Sequence, residues 1–565
     1  MSAPRASRKP LGAILVERGA VAQADVDRAL AEQMKSGGHL GEVLIAMGRL
    51  DKQQLQTALG VQAGLEPVDL DALQIPPAVA DRLDAATRAL FRAVPVKEDG
   101  KTLVVALADP LNVNILQDLS FIVGGEVRGV IATEEAMDRA LKRLGGGAKE
   151  QSLAAVVNEV KSSAAGIDLH DKAAMAAAAP VVKLLNYILL QAIRDKASDV
   201  HLEPFENDFK VRYRVDGVLF EVEAPPPTLA PALISRVKVM SNLDIAETRI
   251  PQDGRIELSL GGRPIDLRVS TMPTVHGESC VLRVLDRSVV SLELENIGLR
   301  DDDRRALEAL LARPHGIVLV TGPTGSGKTT TLYSCLNRLN DLETKIITVE
   351  DPIEYDLDGV VQIQVNEEIE VTYARVLRTI LRQDPDILLV GEIRDKETAQ
   401  IAVEAALTGH LILSTLHTND APSTVTRLID IGIPAYLIVS TLEAIVAQRL
   451  VRSICSHCRT EYQPSVEVLR EIGLQPEEVA GRRFAYGKGC EVCNFSGHKG
   501  RRAIFEIMVM TERLKQMVLD GAPTQELRAA AIAEGMRPLR ASGQLAVLDG
   551  STTVEEVLRE TLLDR

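Results

Sequence analysis

Gly316-Ile-Val-Leu-Val-Thr321 runs directly into Gly322-Pro323-Thr324-Gly325-Ser326-Gly327-Lys328-Thr329-Thr330, and this junction decides the fold of the second half of the chain. The second stretch contains G-x-x-x-x-G-K-T, the spacing of a phosphate-binding loop. Such a loop works only when a strand delivers it and a helix leaves it. Both flanks are present: a β-branched apolar run precedes it, and the pattern after it predicts a helix over 330–339. The three glycines let the backbone curl so that its N–H groups point inward, and the helix adds its positive end at the same place. Lys328 is then placed for the β- and γ-phosphates of a nucleotide, and the Thr329 hydroxyl for magnesium. A glycine-rich surface turn, the alternative, leaves the coincidence of spacing and flanks unexplained.

Working outward, three further clusters fall on predicted strand ends. Ile346-Ile-Thr-Val-Glu350-Asp-Pro-Ile-Glu354 is a buried-strand pattern closing in carboxylates, and Pro385-Asp-Ile-Leu-Leu-Val-Gly-Glu392 is another. Leu411-Ile-Leu-Ser-Thr-Leu-His417-Thr-Asn419 places a histidine and hydroxyls at a third. Ligand groups of parallel sheets gather at the carboxyl ends of their strands. A carboxylate there holds magnesium through water, and one beside it polarises an attacking water, so Glu350 and Glu392 are the candidates for catalysis. Glu354 reads instead as a capping or solvated carboxylate, and His410 as a structural histidine bonded to a loop.

Composition bounds the rest. At 565 residues the chain is too long for one core, and three or four domains are expected. Hydrophobic residues make up 46% and charged residues 25%, which excludes wholesale disorder. A net charge of -15 with 3% aromatics weighs against nucleic-acid binding, which uses basic grooves and stacking platforms. The basic start (Arg5, Arg8, Lys9) is followed by an apolar run over 11–16 that stops at Glu17, too short for a signal peptide. The most apolar longer stretch, 433–450, carries Glu443, Gln448 and Arg449, so no membrane helix is expected. The expected location is cytoplasmic.

Of six cysteines, Cys280 and Cys335 sit singly among apolar neighbours and read as small core residues. The others form Cys455-Ser-His-Cys458 and Cys490-Glu-Val-Cys493, two C-x-x-C knuckles separated by 31 residues. Paired knuckles of this kind converge on one tetrahedral zinc ion, with His457 and His498 as the nearby substitutes. A disulfide is the competing reading and conflicts with a cytoplasmic location. A four-thiolate site is closed, hence structural, and is expected to hold together a module at about 451–505 whose own core is thin.

An internal repeat opens the chain. Leu11-Gly12-Ala-Ile14-Leu15 recurs 29 residues later as Leu40-Gly41-Glu-Val43-Leu44, and the register continues through Gly19 with Gly48 and Val26 with Leu55. Each copy reads as a short helix, a glycine stop and a longer amphipathic helix. A small α/β unit follows, with a strand over 102–108 and a helix over 134–144. Gly145-Gly-Gly147 and the alanine-rich 171–179 bracket a linker. The domains expected are 1–144, the linker 145–179, a sheet domain 180–290 and an α/β domain 291–565. The sheet domain opens with a helix over 181–197, then alternates as in Lys210-Val-Arg-Tyr-Arg-Val215, the mark of a half-exposed antiparallel sheet. The pattern over 291–311 reads as helix.

Four blocks together carry a family resemblance. They are the phosphate loop, the acidic box Val349-Glu-Asp-Pro-Ile-Glu354, the box Arg382-Gln-Asp-Pro-Asp386 through Gly391-Glu-Ile-Arg-Asp395, and the histidine box Thr408-Gly-His410 through His417-Thr-Asn419. The sequence resembles the type II secretion and type IV pilus extension ATPases, hexameric members of the RecA-like superfamily. Ala197-Ser-Asp-Val-His-Leu-Glu203, Arg249-Ile-Pro-Gln-Asp-Gly-Arg255 and Asp266-Leu-Arg-Val-Ser-Thr271 extend the likeness over nearly the whole chain.

The resemblance implies an α/β fold: a RecA-like core with a zinc insertion, preceded by an α+β, PAS-like sheet domain and a mostly helical regulatory module. It implies that Glu350 activates water, that Glu392 organises magnesium and that His417 senses the γ-phosphate. It implies that Arg255 and Arg268 reach nucleotide at a domain or subunit junction, with Arg375 and Arg378 preceding the second box. The paired C-x-x-C accompanies the extension and secretion motors. The implied partners are five further copies of the chain and an inner-membrane platform protein, which would hold it at the inner face of the membrane. The 29-residue repeat looks like the tandem module that binds cyclic di-GMP in some of these ATPases. Pro10 and His39 stand where that module usually has arginine, which leaves binding and loss of binding both open. The rival readings are a nucleic-acid translocase of the same superfamily and a nucleotide-binding signalling adaptor. Intact Lys328, Thr329, Glu350 and Glu392 weigh against the adaptor.

Overall fold

The computed structural model describes residues 11–36, 40–108 with short gaps, 115–145 with one gap, 179–286 with two short gaps, and 292–561. The linker expected at 145–179 lies almost wholly outside the described residues, as do Pro10 and His39. Two compact units form, Met1–Ser288 and Val289–Arg565.

In the first unit the repeat is visible as packing. Helices Leu11–Glu17 and Leu40–Ala46 each end at a left-handed glycine, Gly19 (φ 70°) and Gly48 (φ 66°). A Cβ on Gly12 would meet Val26 at 2.9 Å, and one on Gly41 would meet Leu55 at 2.6 Å. Both glycines and both partners are 29 residues apart, so each copy makes the same close contact between its short helix and the segment that follows. Next, β1 (Glu66–Pro67), β2 (Ala93–Asp99), β3 (Thr102–Leu107) and β4 (Glu126–Ile131) form a sheet in the order β1-β4-β3-β2, followed by the helix Glu134–Gly145.

The second part of this unit is a six-stranded sheet of β5 (Asp199–Pro204), β6 (Phe209–Val215), β7 (Val218–Val222), β8 (Gln252–Leu260), β9 (Arg263–Thr274) and β10 (Gly277–Asp286). Its order is β7-β6-β5-β10-β9-β8, antiparallel throughout, as the alternating sequence predicts. Val200, Leu202, Val211, Tyr213, Leu267 and Leu282 are at most 1% exposed and share a core with helices Ala179–Arg194 and Ala230–Met240. The alternate residues line the other face. Cys280 is in this core and Cys335 is equally buried in the second unit; burial pushes both thiols up to about 12.

The second unit is built on a seven-stranded sheet. Its strands are β11 (Gly316–Thr321), β12 (Ile346–Glu350), β13 (Val361–Gln364), β14 (Ile387–Val390), β15 (Leu411–Leu416), β16 (Leu442–Ile454) and β19 (His498–Val509). The order is β13-β12-β14-β15-β11-β16-β19, parallel except for β19. β11, β12, β14 and β15 are buried on both faces, which explains their unbroken apolar sequences.

The helix expected over 291–311 begins only at Asp301, after a short 3-10 turn at Leu294–Asn296. Gly298, at φ 95°, ends that turn, and the three aspartates at 301–303 then face the positive end of the helix Asp301–Leu311. The stretch 433–450 divides into the helix Ala435–Thr441 and the first part of β16. Among the described residues no helix is long and apolar enough to cross a membrane.

β17 (Arg459–Tyr462), β18 (Phe484–Gly487) and the helix Val466–Ile472 are inserted between β16 and β19. The thin separate core expected for this module is not what forms. Leu469, Ile472, Leu474, Val479 and Phe484 join the same continuous apolar cluster as the strands of the main sheet.

Candidate functional site

The phosphate loop emerges from β11 and enters the helix Lys328–Leu339 two residues earlier than expected. Gly322, Gly325 and Gly327 all have positive φ (146°, 79° and 90°). At Gly322 and Gly327 the requirement is also steric, because a Cβ would stand 2.6 Å from the Gln448 carbonyl oxygen and 2.8 Å from Gln448 Nε2. Lys328 folds over the loop, its Nζ donating to the carbonyls of Gly322 at 2.9 Å and Pro323 at 3.1 Å. Burial pushes its ammonium below the usual lysine value, the Glu392 carboxylate opposes that shift, and Arg449 adds to it. Ser326 Oγ is buried with no hydrogen-bond partner. A backbone cradle, a lysine and an unpaired buried hydroxyl fit a phosphate group.

The neighbouring strand ends bring the predicted residues to this edge. Glu350 ends β12 and is only 4% exposed. Its Oε1 accepts from Thr348 Oγ1 at 2.6 Å and Gln362 Nε2 at 3.1 Å, and its Oε2 accepts from the Tyr333 hydroxyl. Glu392 lies two residues past β14, paired with Arg394 and 3.3 Å from Nε2 of His417, which follows β15. Glu354 is half-buried, and its backbone N–H donates to the Tyr333 hydroxyl at 3.3 Å.

Two motif blocks divide between the ends of their strands. Asp386 precedes β14 and accepts from the Lys345 backbone N–H at 2.7 Å, while Glu392 follows the strand. His410 precedes β15 and its Nδ1 is 2.9 Å from the Ala405 carbonyl, a partner in the last turn of the helix Lys396–Leu407 rather than in the expected loop, while His417 follows the strand. Only the second half of each block is therefore at the phosphate-loop edge. Arg375 and Arg378 lie on the helix Tyr373–Ile380 and pair with Glu370 at 3.2 Å and Glu397 at 2.5 Å.

In the first unit, Arg255 and Arg268 are directly opposite each other on β8 and β9, and Arg283 of β10 is opposite Arg268. Asp199 and Arg214 complete the row on β5 and β6. Four guanidiniums and one carboxylate thus cross five strands on the face away from the helices. Asp199 pairs with Arg283 at 3.3 Å and Arg214 at 3.7 Å. An open groove of about 460 Å³ runs along Arg255, Arg268 and Arg283. Arg283 was not predicted. Its signal is the register, since it pairs across the sheet with an arginine that was.

Gln448 and Tyr333 were also missed as site residues. Gln448 is 2% exposed in a strand of apolar neighbours, and a buried polar residue in such a strand is itself the signal.

The four knuckle cysteines converge. Sγ separations are 3.9 Å for Cys455 and Cys490, 3.8 Å for Cys458 and Cys493, and 3.7 Å for Cys490 and Cys493, and all four lie within 4.8 Å of one another. Thiolates arranged tetrahedrally at ~2.3 Å from a zinc ion would be about 3.8 Å apart. The donor set fits zinc, and none of the six cysteines is in a disulfide. Neither histidine joins the cluster: Nδ1 of His498 is 3.1 Å from the Ser496 carbonyl, and Nδ1 of His457 is 3.4 Å from Ser456 Oγ.

Comparison with known proteins agrees with this geometry. Residues 174–559 match the family described as Type II/IV secretion system protein, and residues 63–151 match the MshEN domain, which begins where the tandem repeat ends. The chain is 43% identical over 564 residues to the type IV pilus assembly ATPase PilB of Myxococcus xanthus, covering 98% of this chain and 99% of that one. It is 54% identical over 383 residues to the type II secretion system protein HxcR of Pseudomonas aeruginosa, covering 68% of this chain and 78% of that one. The fold is similar to that of the ATPase DotB of Legionella pneumophila, with a TM-score of 0.50 at 22% identity over 67% of this chain and 95% of that one. A match of one family over most of the chain, joined to a phosphate loop with carboxylates at the adjoining strand ends, makes this chain an ATPase that belongs to the type II/IV secretion system protein family.

Proposed function

We propose that the chain is one subunit of a homo-hexameric ring that hydrolyses ATP to assemble a type IV pilus or a type II secretion pseudopilus through an inner-membrane platform protein. The observation that carries this is the site itself: phosphate loop, Glu350, Glu392 and His417 on adjoining strand ends, in a chain that aligns end to end with a pilus assembly ATPase. The backbone N–H groups of 324–330 and Lys328 would hold the phosphates, and Thr329 with Glu392 would hold magnesium. Magnesium, when bound, neutralises charge on the β- and γ-phosphoryl oxygens.

His417 is coupled to Glu392 and so reads whether the γ-phosphate is present. Glu350 orients the attacking water. Its carboxylate accepts three hydrogen bonds, two on Oε1 and one on Oε2, which fix its orientation and leave one acceptor position on Oε2 for the water. Tyr333, on the helix leaving the phosphate loop, is the donor that motion of the loop would withdraw. Arg255, Arg268 and Arg283 supply guanidiniums to the γ-phosphoryl group of a neighbouring subunit, where delocalised charge needs a planar donor. Moving sheet domain against ATPase core around the ring is the mechanical step.

End-to-end matches are found both to a pilus assembly ATPase (43% identity) and to a type II secretion protein (40% identity), so pilus and pseudopilus both stand as readings. In cells, exchanging the gene for a Lys328→Ala allele distinguishes them. Loss of surface filaments with export intact identifies a pilus motor, and loss of an exported protein with filaments intact identifies a secretion motor. Wild-type levels of both, with the variant chain present, would defeat the proposal.

We further propose that the helical repeat before the MshEN match binds cyclic di-GMP, because both copies keep the glycine packing that builds the module. Equilibrium dialysis of the full chain against labelled cyclic di-GMP is expected to show saturable binding. Its absence would mean that the fold outlived its ligand.

A further inference from the structure

We propose that Gln448 is a positioning residue that sets the phosphate loop in its anion-binding shape before any nucleotide arrives. β16 lies beside β11 with Thr321 opposite Ala447, so Gln448 falls level with the start of the loop. Its buried carboxamide spans the loop: Nε2 donates to the Ser326 carbonyl at 2.8 Å, and Oε1 accepts from Thr331 Oγ1 at 2.7 Å. Both anchor points are buried, Ser326 at 2% exposure and Thr331 at 0%. A carboxamide is the uncharged side chain that offers donor and acceptor on one fork.

The consequence follows from peptide geometry. In a planar trans peptide the C=O and the next N–H point in opposite directions. Holding the Ser326 carbonyl toward β16 therefore turns the Gly327 N–H the other way, into the concave side where phosphate binds. Inward N–H groups are what make such a loop attract anions. Without Gln448 the Ser326 carbonyl would be buried and unpaired, and a flip of that peptide would present an oxygen to the anion. The next residue acts on the other side of the site: the Arg449 guanidinium donates to the Asn419 carbonyl at 2.8 Å and to Asn419 Oδ1 at 3.2 Å. One dipeptide of β16 thus ties the phosphate loop to the segment that carries His417.

This inference rests on the loop's binding ATP, and its test separates the two. Thr331→Val is close in shape and removes the hydroxyl that orients Gln448, and Thr331→Ser restores it. Thr331→Val is expected to raise the KM for magnesium-ATP about tenfold with kcat changed less than about threefold, and Thr331→Ser to stay within about twofold of wild type. Gln448→Glu, which keeps the shape but loses the donor to Ser326, is expected to raise KM at least as much. A purely structural role would lower thermal stability and leave KM unchanged. That result, or a Thr331→Ser chain as impaired as Thr331→Val, would overturn the inference. Should Gln448→Glu fail to fold, the two threonine variants decide alone. Failure of the ATPase reading would look different, as no magnesium-dependent turnover by the wild-type chain.

Discussion

Glu392→Gln is expected to cut steady-state ATP hydrolysis by at least about a hundredfold while ATP still binds, the scale on which a charged group at the reacting phosphate acts. The replacement keeps shape and removes the charge that pairs with Arg394, faces His417 and opposes the depression of the Lys328 pKa. ATP affinity stays within a few-fold because the backbone cradle and Lys328 are untouched. Phosphate release and nucleotide binding, measured on the same preparation, check both halves. A variant that hydrolyses at the wild-type rate would remove Glu392 from the site.

The same variant tests whether sites are shared. Arg268→Ala alone is also expected to be inactive. Equimolar mixing of Arg268→Ala and Glu392→Gln chains before assembly should restore part of the activity, because some junctions then pair an intact arginine row with an intact carboxylate. No recovery over the separate variants would place the arginines outside a shared site.

Zinc removal is the second large effect. Zinc at about a thousandfold above its Kd stabilises the folded state by about 4 kcal/mol, and a unit of this size loses about 2–4 °C per kcal/mol. Stripping the metal, or replacing Cys455 and Cys490 by serine, is therefore expected to lower the melting temperature by about 10 °C. The structure enlarges that expectation, since Leu469, Ile472 and Phe484 of the module belong to the main apolar cluster and loosening them opens the ATPase core itself. Melting curves with and without a chelator decide it, and coincident curves would count against the site.

The parts of the site that were legible in the sequence are those that local chemistry dictates. A phosphate loop needs its glycines in order along the chain, a zinc knuckle needs its cysteines three apart, and a buried parallel strand is apolar until it ends in a functional residue. Glu350, Glu392, His417 and the four cysteines were found that way. What stayed hidden depends on which strand lies beside which. Gln448 meets Ser326 across 122 residues of chain because β16 is the neighbour of β11, and no local pattern states that order. Along the sequence its polarity reads only as an interruption to a membrane helix. Arg283 was hidden for the same reason, and the antiparallel register exposes it. The Tyr333 bond to Glu350 joins a helix to a strand, and a catalytic-looking carboxylate gives no sign in sequence of which side chains hold its oxygens.

Everything above turns on this edge of the sheet hydrolysing ATP. The direct measurement is phosphate release from ATP by the purified full-length chain, with magnesium and then with excess EDTA. Steady turnover that vanishes when the metal is chelated is expected. Absence of turnover in magnesium, or turnover indifferent to EDTA, would contradict it.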